Sequence, residues 1–571
     1  MLVTSDPNEF IAQLPTDGRW LALDLETTGL NPVRDKIAII AVSTEDNILI
    51  YQTHGYPVPG QLTQELSQRS LITQNGTMFD LLFDGLGIPA MGAHYDTRIA
   101  EAICAPLAPG AYSGNSGRAN LGTLMRKYTG HNAKLEMPDV GRWTAAELAP
   151  DQLEYLQADI SYLHDIQRGQ SKLIAKAGAT EALDLEMACT VPVARMMRNG
   201  IPVSQPQIVR FLLQAHESAQ EASARLRTAF GATFNVNSPK QVLNALRATH
   251  PRLESTDHTA LLGLGTQQAL DVLTVRAAAK RKAMFTPEWQ QAHITDGMLH
   301  TKFNQVGAET FRFTSSEPNV QQIPKAMRPI VRAEPGYKIL AVDYQQLETR
   351  FLADVAYDTD LAYALEHTDL HTENAKFVLE HGQRNVAWES LSAAEQADLR
   401  RRTKGLIFTL GFGGGVRGAV MSAARAGEIL NEDDAREVLT ALRARFPVMA
   451  TWIDTKRYEA KSANLSVALP FGYVRRWTET NRSASSYINT HMQTAAAVGL
   501  KCAIRALHLA GFARYLIIQA HDELVFHVPE DVATPEWVQN ICSIMEREML
   551  RASSNKLISF PVEATLSDYW K

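Results

Sequence analysis

A single aspartate ends a buried run near the middle of this chain of 571 residues. Residues 338–342 read Lys-Ile-Leu-Ala-Val, which predicts a buried strand, and Asp343 follows directly. Apolar residues then recur at helical spacing from Leu347 to Val355, so a helix is expected next. Asp343 can cap that helix, or it can bind a metal ion at the rim of a sheet; this stretch alone favours neither reading.

A second acidic group lies at a predicted turn far downstream. Two apolar runs flank His521, Asp522 and Glu523 and predict a β-hairpin with these residues at its tip. Charged turn residues are usually just solvated, but here the flanking strands read as buried, so the tip is expected on a structured surface. Asp343 and Asp522 on two core strands would form a site for two Mg²⁺ ions, about 3.5–4 Å apart, that clamps the oxygens of a phosphoryl transfer.

A third acidic pair occurs near the N-terminus. Asp24 and Glu26 interrupt an otherwise apolar predicted strand and, being two residues apart, point to the same face of it. Two like charges so placed repel each other unless a cation lies between them. The apolar residues 36–42 suit an antiparallel neighbouring strand.

Three further residues join this pair. Asp80 stands near the start of a helix predicted after a short turn, and Tyr155 and Asp159 share one face of another predicted helix. Alone, a Tyr-x-x-x-Asp pair is almost always surface decoration. In order and type, however, these residues with Asp24 and Glu26 resemble the tyrosine-containing branch of the DEDD 3′-5′ exonucleases. That resemblance implies that the four acids hold two metal ions and that Tyr155 orients the attacking water.

A helical stripe suggests a nucleotide site. Arg400, Lys404, Phe408 and Phe412 are four residues apart, which gives one helix face that is cationic at its start and aromatic at its end. Such a face suits a nucleoside triphosphate, with cations on the phosphates and rings near the sugar and base. A generic helix with an aromatic core edge would show the same pattern. Glycines at 413–415 should end the segment.

Two other stretches suit nucleic acid without requiring it. Residues 181–282 are helical in pattern and alanine-rich, and they end in the basic run 280–282, which could contact a duplex backbone or belong to a plain helical spacer. Residues 310–324 carry polar side chains that could reach minor-groove acceptors or simply form a polar loop.

Five segments together resemble one family. Residues 343–350, 400–413 and 519–525 resemble motifs A, B and C of family A DNA polymerases, and residues 310–324 and 489–493 match two further segments of that family. The likeness extends over essentially the whole chain. Because the chain starts at the exonuclease-like part, it is expected to be a short stand-alone form without the family's 5′ nuclease.

The resemblance implies a role for each matched residue. Asp343 and Asp522 would bind the catalytic metals, helped by the backbone carbonyl of Tyr344, with Glu523 accessory. The nucleotide-binding residues that it implies are Arg400, Lys404, Phe408, Phe412, His371, Glu348 and Gln345. The primer–template contacts that it implies are Arg312, Asn489, Gln493 and His521.

Two positions depart from the family pattern. The family usually has tyrosine at Phe412, whose hydroxyl pairs with the Glu348 carboxylate, so the means of holding this carboxylate beside the sugar is in question. Many members also have arginine at Ser485; Arg482 lies nearby but out of register, which puts one template contact in question.

The expected fold is a multidomain α/β and α+β protein. An RNase H-like exonuclease domain is followed by a right-hand polymerase with palm, fingers and thumb. The predicted domains are the exonuclease at 1–175, the thumb at 176–295, the palm at 296–355, the fingers at 356–445 and the second part of the palm at 446–571.

Composition sets wider limits. Hydrophobic content of 45% and a net charge of −6 are ordinary for a globular protein, so a DNA-binding groove must come from local basic clusters. The four cysteines are scattered, which disfavours zinc binding and a disulfide framework. No secretion signal or membrane-spanning run is visible, so a monomer in the cytoplasm of a bacterium or phage-infected host, or in an organelle, is expected.

The predicted function is template-directed DNA synthesis with 3′-5′ proofreading, in replication or repair. Its cofactor would be Mg²⁺, two ions at each active site, with Mn²⁺ able to substitute. Its partners would be primer–template DNA and deoxynucleoside triphosphates. The rivals are an exonuclease whose second half only grips DNA, and a replication factor that binds primer ends without chemistry; Asp343, Asp522 and Lys404 are all present, which disfavours both.

Overall fold

A computed structural model describes residues 1–83, 93–107, 119–131, 142–381, 386–425, 430–462, 465–478 and 482–571. The N-terminal part is built on a six-stranded sheet with strand order β1-β4-β3-β2-β5-β6. The strands are β1 (Leu2–Thr4), β2 (Leu21–Thr27), β3 (Ile37–Ser43), β4 (Ile48–Gln52), β5 (Leu71–Thr73) and β6 (His94–Asp96). The helices are α1 (Pro7–Ala12), α2 (Gly60–Ser67), α3 (Thr97–Cys104), α4 (Leu121–Thr129), α5 (Pro150–Ser161) and α6 (Leu163–Lys176).

The central strands of this sheet are apolar because both of their faces are covered. Strand β3 is buried along its whole length. Its alternate residues Ile40 and Val42 join one hydrophobic cluster, whereas Ile39 and Ala41 join another that includes Leu156 of α5. Strand β2 pairs antiparallel with β3, as expected from the sequence, and parallel with β5. This places β2 and its acids in the middle of the sheet.

A helical region follows. Its elements are α7 (Thr180–Asn199), β7 (Ile201–Pro202), α8 (Gln205–Phe230), α9 (Pro239–Arg247), α10 (His258–Leu264), α11 (Gln267–Ala283) and α12 (Pro287–His293). The long helices α8 and α11 pack along each other over a small core of their own that includes Leu226 and Val272. The basic run 280–282 occupies the last turn of α11, as predicted.

The rest of the chain forms a second sheet and a helical layer above it. Residues 294–356 contain β8 (Ile294–Thr295), β9 (Met298–Leu299), β10 (Lys302–Asn304), β11 (Thr314–Ser316), β12 (Tyr337–Tyr344) and α13 (Leu347–Ala356). The helical layer contains α14 (Thr359–His367), α15 (Leu370–His381), α16 (Ala393–Gly411), α17 (Val416–Arg425), α18 (Glu432–Arg445) and α19 (Pro447–Glu459). The last part contains β13 (Ser466–Ala468), β14 (Val474–Arg476), α20 (Ala484–Leu509), β15 (Leu516–Ala520), β16 (Glu523–Pro529), α21 (Pro535–Met549) and β17 (Val562–Ser567).

The second sheet has four strands in the order β15-β16-β12-β17, all antiparallel. Strands β15 and β16 form the predicted hairpin, and β12 lies beside β16, so segments almost two hundred residues apart are neighbours. The predicted helix after Asp343 is α13. It begins after Gln346, whose positive φ of 52° turns the chain from the strand into the helix. The sheet therefore brings the end of β12 to the tip of the hairpin.

A buried ion pair ties α7 to α20. The Lys501 ammonium contacts the Glu186 carboxylate, and both side chains are fully buried. The Tyr473 hydroxyl donates to the same carboxylate at 2.6 Å, and the Gln305 amide donates to its other oxygen at 2.6 Å.

No helix in the described ranges has the length and hydropathy needed to span a bilayer.

Candidate active sites

The first acidic cluster lies on the central strand β2. Asp24 and Glu26 project from the same face of the strand, and α5 brings Asp159 to them, so that one carboxylate oxygen of each lies within 4.8 Å of the others. Glu26 is buried and the other two are half-buried. The predicted pair and the predicted helix therefore meet at one place.

Asp80 is a fourth acid whose charge reaches Asp24 and Glu26 and raises the pKa of both. The sequence predicted a helix starting near it, but this prediction is wrong: the chain forms two short 3₁₀ turns, Gly76–Met78 and Asp80–Leu82. The turn geometry is fixed by Asp96, whose carboxylate accepts from the backbone amides of Asn75 and Thr77 at 3.1 and 3.0 Å. Asp80 is buried, and its Oδ1 has no hydrogen-bond partner.

The electrostatics of this cluster call for a cation. Burial, followed by the charges of the neighbouring carboxylates, raises the pKa of Glu26 to about 8 and the pKa of Asp24 well above its usual range. Burial and then the charge of Asp96 raise the pKa of Asp80 to about 8. Burial also raises the pKa of Asp159 to about 6, although a hydrogen bond with Tyr155 opposes the shift. A divalent ion would relieve this repulsion and give Asp80 Oδ1 a partner, so the donor set fits a metal.

The second acidic cluster lies at the end of the second sheet. Asp343 of β12 stands directly opposite Glu523 of β16, and Asp522 occupies the hairpin turn beside them. The turn is held by the Tyr344 amide, which donates to the Asp522 carbonyl at 3.3 Å, and by the positive φ of 57° at His521. Burial, followed by the charges of Asp522 and Glu523, raises the pKa of Asp343 to about 7. Burial likewise raises the pKa of Asp522.

Glu523 differs from these two aspartates because both of its oxygens are already occupied. One accepts from the Trp570 indole at 2.8 Å, and the other lies 3.1 Å from the Arg328 guanidinium. Arg328 in turn lies over the Trp570 ring, 4.2 Å from its centroid. Arg328 and Trp570 were not predicted from the sequence, because neither lies in a motif and the fold alone brings them to the acids.

A cavity of about 440 Å³ opens beside the second cluster. Asp343 and Asp522 stand on one wall of it, and the exposed Lys404 and half-buried Phe408 of α16 stand on another. Other residues that line it include Arg312, Gln346, Glu348, Ala497 and Gln519. Gln346 was not singled out from the sequence; its neighbour Gln345, which was, is exposed and does not line the cavity. Two members of the predicted stripe, Lys404 and Phe408, thus share one cavity with Asp343 and Asp522.

The other members of the stripe have defined partners. Arg400 is ion-paired with Asp369, Nε to Oδ2 at 3.0 Å. Burial raises the pKa of Asp369, but hydrogen bonds from Arg400 and Thr372 outweigh it and lower this pKa to about 2. Burial, followed by the charges of Lys404 and Arg400, lowers the pKa of His371 to about 4, so this ring is neutral near pH 7. Phe412 caps α16, with its ring centroid 6.3 Å from that of Phe408, and Gly413 ends the helix with φ of 69°, as predicted.

Two residues predicted to have different roles contact each other. The Arg312 guanidinium donates to the Glu348 carboxylate in the cavity, where the two side chains are 36% and 24% exposed. The sequence predicted neither this pair nor its place in the cavity.

Two of the predicted primer–template contacts, Asn489 and Gln493, lie four residues apart on α20. Ala497, four residues after Gln493 on the same helix, lines the cavity. The Asn489 side-chain oxygen is buried without a hydrogen-bond partner.

Comparison with known proteins decides the family. Residues 207–571 match the family described as DNA polymerase family A, and residues 4–173 match the family described as 3′-5′ exonuclease. The first match covers more than half of the chain. The chain belongs to DNA polymerase family A. The predicted order, an exonuclease domain followed by a polymerase domain, is confirmed.

Several DNA polymerases I resemble this family A chain over most of its length. The enzyme of Pseudomonas aeruginosa is 27% identical over 96% of this chain and 63% of its own length, and that of Chloroflexus aurantiacus is 26% identical over 93% and 59%. The enzyme of Aquifex aeolicus is 24% identical, with 96% of each chain covered. The chain thus spans about six tenths of the first two enzymes and nearly all of the third.

A solved structure supports the fold of this family A chain. The polymerase domain of Pol1 from M. smegmatis, in complex with DNA primer-template and dNTP, has a TM-score of 0.76 and 20% sequence identity, and the match covers 100% of this chain and 99% of that one. Family A polymerases and exonuclease domains use divalent metals, and the donor sets described above fit such ions.

Proposed function

We propose that this family A chain is a template-directed DNA polymerase that also removes nucleotides from the 3′ end, and that it acts in DNA replication or repair. One observation carries the proposal: the chain holds two acid clusters on two different sheets, and the second shares a cavity with a lysine and aromatic rings. The first arrangement suits hydrolysis of a phosphodiester, and the second suits transfer to a triphosphate.

In the polymerase site, Asp343 and Asp522 would hold two Mg²⁺ ions, helped by the Tyr344 carbonyl; Mn²⁺ could replace them. Bound there, the ions would neutralise the charge that develops on the attacking and leaving oxygens. Lys404 faces the acids across the cavity, where its ammonium can bind the phosphates of the incoming nucleotide. Glu523 keeps Asp343 and Asp522 in register through the Trp570 and Arg328 contacts rather than by binding metal.

Phe408 lines the cavity, and the rings of His371 and Phe412 each lie 6.3 Å from the Phe408 ring, centroid to centroid. Phe408 and Phe412 would offer ring faces to the sugar and base, and the neutral His371 ring would hydrogen-bond a phosphate. Arg400 would exchange part of its contact with Asp369 for the triphosphate. Asn489, Gln493 and His521, and Arg312 in part, would reach the acceptors of the primer–template minor groove.

In the exonuclease site, Asp24, Glu26, Asp80 and Asp159 would hold two Mg²⁺ ions. Tyr155 lies against Asp159, and burial holds the pKa of its hydroxyl above its usual range, so it stays protonated and can orient the attacking water by a hydrogen bond. These carboxylates would need to be ionised to bind metal, which the ions themselves favour.

The experiment is extension of a labelled primer with deoxynucleoside triphosphates and Mg²⁺, followed by withholding the triphosphates to look for shortening. Asp343→Asn or Asp522→Asn should abolish extension and leave shortening, and Asp24→Ala with Glu26→Ala should do the reverse. Chelation of the divalent metal should stop both reactions.

Two matched controls remove one acid each at a position outside both clusters. Glu536→Gln alters an exposed acid in the first turn of α21, and Asp46→Asn alters an exposed acid between β3 and β4. Both variants should keep both activities. If wild-type protein shortens primers but never extends them, the chain is an exonuclease with a DNA-gripping second half; if it does neither, it is a binding factor.

Such a polymerase would work as a monomer wherever DNA is copied, in the cytoplasm of a bacterium or in an organelle. The bacterial sources of the relatives favour the first. We place the domain borders at 175, 295, 355 and 445, between the exonuclease, thumb, palm, fingers and second palm part. Limited proteolysis followed by mass spectrometry would test these borders.

A further inference from the structure

One carboxylate in the polymerase cavity has a counter-ion that its sequence position does not suggest. Glu348 lies in the first turn of α13, five residues after Asp343, and lines the same cavity. The Arg312 guanidinium, from the loop before β11, donates to its Oε1. Arg312 also lines this cavity, together with Asp343 and Asp522, so the pair shares it with the proposed metal-binding acids.

Glu348 needs a partner to stay in place. A triphosphate is strongly anionic, so it repels an unpaired carboxylate in its cavity, and a free glutamate side chain also loses rotamer entropy when it is fixed. Phe412 cannot hold it because a phenyl ring has no hydrogen-bond donor. Arg312 can, since its planar guanidinium offers a rigid fork of donors to a carboxylate.

Position 412 nevertheless lies close to the helix that carries Glu348. Gly411 packs so tightly on α13 that a Cβ there would stand 2.7 Å from Leu352 Cδ2, and Leu352 is one turn after Glu348 on the same helix face. The Phe412 ring also lies 6.3 Å, centroid to centroid, from the ring of Phe408, which lines the same cavity as Glu348. Phe412→Tyr would therefore add a hydroxyl near this cavity, and it is the variant that could give Glu348 a second donor.

The geometry points to Arg312 as a positioning residue that holds Glu348 as a barrier to ribonucleotides, in place of a side chain at position 412. This inference rests on the proposed polymerase function. Lys404, Asp343, Asp522, Phe408 and Glu348 line one cavity. A nucleotide with its phosphates between Lys404 and the two aspartates would bring its sugar to the part of the cavity that Phe408 and Glu348 line. A 2′-hydroxyl in that space would meet a carboxylate fixed by Arg312, whereas a deoxyribose would not.

The test is single-nucleotide insertion on one primer–template, with the ratio of kcat/KM for dNTP and rNTP measured in each protein. Arg312→Ala should lower this ratio about tenfold or more, and Phe412→Tyr added to Arg312→Ala should restore most of it. Glu348→Ala alone should lower the dNTP-to-rNTP ratio of kcat/KM. Adding Arg312→Ala to Glu348→Ala should not lower this ratio further.

The outcomes separate this inference from the proposed function. If wild-type protein inserts no nucleotide, the polymerase function fails. If it inserts nucleotides and Arg312→Ala slows dNTP and rNTP equally, Arg312 acts on the primer–template alone and the inference is overturned. A selectivity loss in Arg312→Ala that Phe412→Tyr does not repair, or that persists undiminished on the Glu348→Ala background, would overturn it as well.

Discussion

Replacing Lys501 by methionine should destabilise the polymerase part of the molecule more than most single substitutions. Lys501 of α20 and Glu186 of α7 are both fully buried, and the methionine keeps the length of the lysine stem while removing its charge. The Glu186 carboxylate would then remain in a dry interior with only two neutral donors, Tyr473 and Gln305. We therefore expect the variant to unfold at a lower temperature than wild type and to lose DNA binding as it unfolds.

The expected loss in the free energy of unfolding follows from the burial of both charged side chains. Removing one partner of a buried ion pair costs about 3–5 kcal/mol, because the other charge stays uncompensated. Since two donors still contact Glu186, we expect the lower end, about 3 kcal/mol. For a cooperative unit of roughly 150–250 residues this lowers Tm by about 6–12 °C. Adding Glu186→Gln removes the orphaned charge and should recover about 2 kcal/mol of this loss.

The assay is thermal and urea unfolding of wild type, Lys501→Met, Glu186→Gln and the double variant, which form a double-mutant cycle. Lys338→Met is the matched control. Lys338 of β12 also has acidic partners, Asp568 at 2.9 Å and Glu530 at 3.4 Å, but these contacts are solvent-exposed, so its loss should cost less than about 1 kcal/mol. A cost for Lys501→Met no greater than that of the control, or a double variant as unstable as the single one, would refute this account of the pair.

Three other outcomes are expected. Trp570→Phe removes the indole donor from the buried Glu523 carboxylate, which is worth about 1–3 kcal/mol, so extension should fall roughly tenfold while shortening of the same primer is unchanged; equal rates of extension would mean that Arg328 alone holds Glu523. Phe408→Tyr places a hydroxyl in the sugar region of the cavity and should reduce discrimination against dideoxynucleotides, measured as the kcat/KM ratio of dNTP to ddNTP; an unchanged ratio would mean that Phe408 does not face the sugar. Because the pKa values of Glu26 and Asp80 are raised to about 8, the folded metal-free protein binds more protons than the unfolded chain, so its stability should fall as pH rises from about 4 to 8 and Mg²⁺ should reverse the fall; a rise in metal-free stability over that range would contradict the raised values.

The sequence predicted those features that depend on neighbours along the chain. Strand β12, helix α13 and the β15–β16 hairpin follow from apolar runs and spacing, and the pairing of Asp24 with Glu26 on one face follows from the two-residue period of a strand. The helix predicted near Asp80 is wrong because a hydrogen-bonding side chain, not the apolar pattern, decides the local conformation. Asp96, sixteen residues later, captures the Asn75 and Thr77 amides and holds the chain in 3₁₀ turns.

The contacts that were not predicted join residues distant in sequence. Trp570 reaches Glu523 and Arg328 reaches it from the other side, although 47 and 195 positions separate the partners. Arg312 and Glu348 are 36 positions apart, and each belongs to a segment with a family role of its own. Residue types and spacing alone therefore suggested separate roles, and only the fold shows that the two side chains neutralise each other.

The two acid clusters meet the same electrostatic problem with different means. Two arginines lie near Asp343 and Asp522. Burial raises the pKa of both aspartates, but the charge of Arg328 lowers the pKa of Asp343 and the charge of Arg312 lowers that of Asp522. Around Asp24, Glu26 and Asp80, burial and other acids raise the pKa values, and among the described residues only backbone hydrogen bonds, not cations, oppose the shifts of Asp24 and Asp80. If these clusters bind metal as proposed, Asp343 and Asp522 would be partly prepared for it by neighbouring cations, whereas Asp24, Glu26 and Asp80 would depend on the metal itself to ionise. Metal binding should accordingly release more protons at the exonuclease site, so that removal of nucleotides responds more steeply to pH than their addition does.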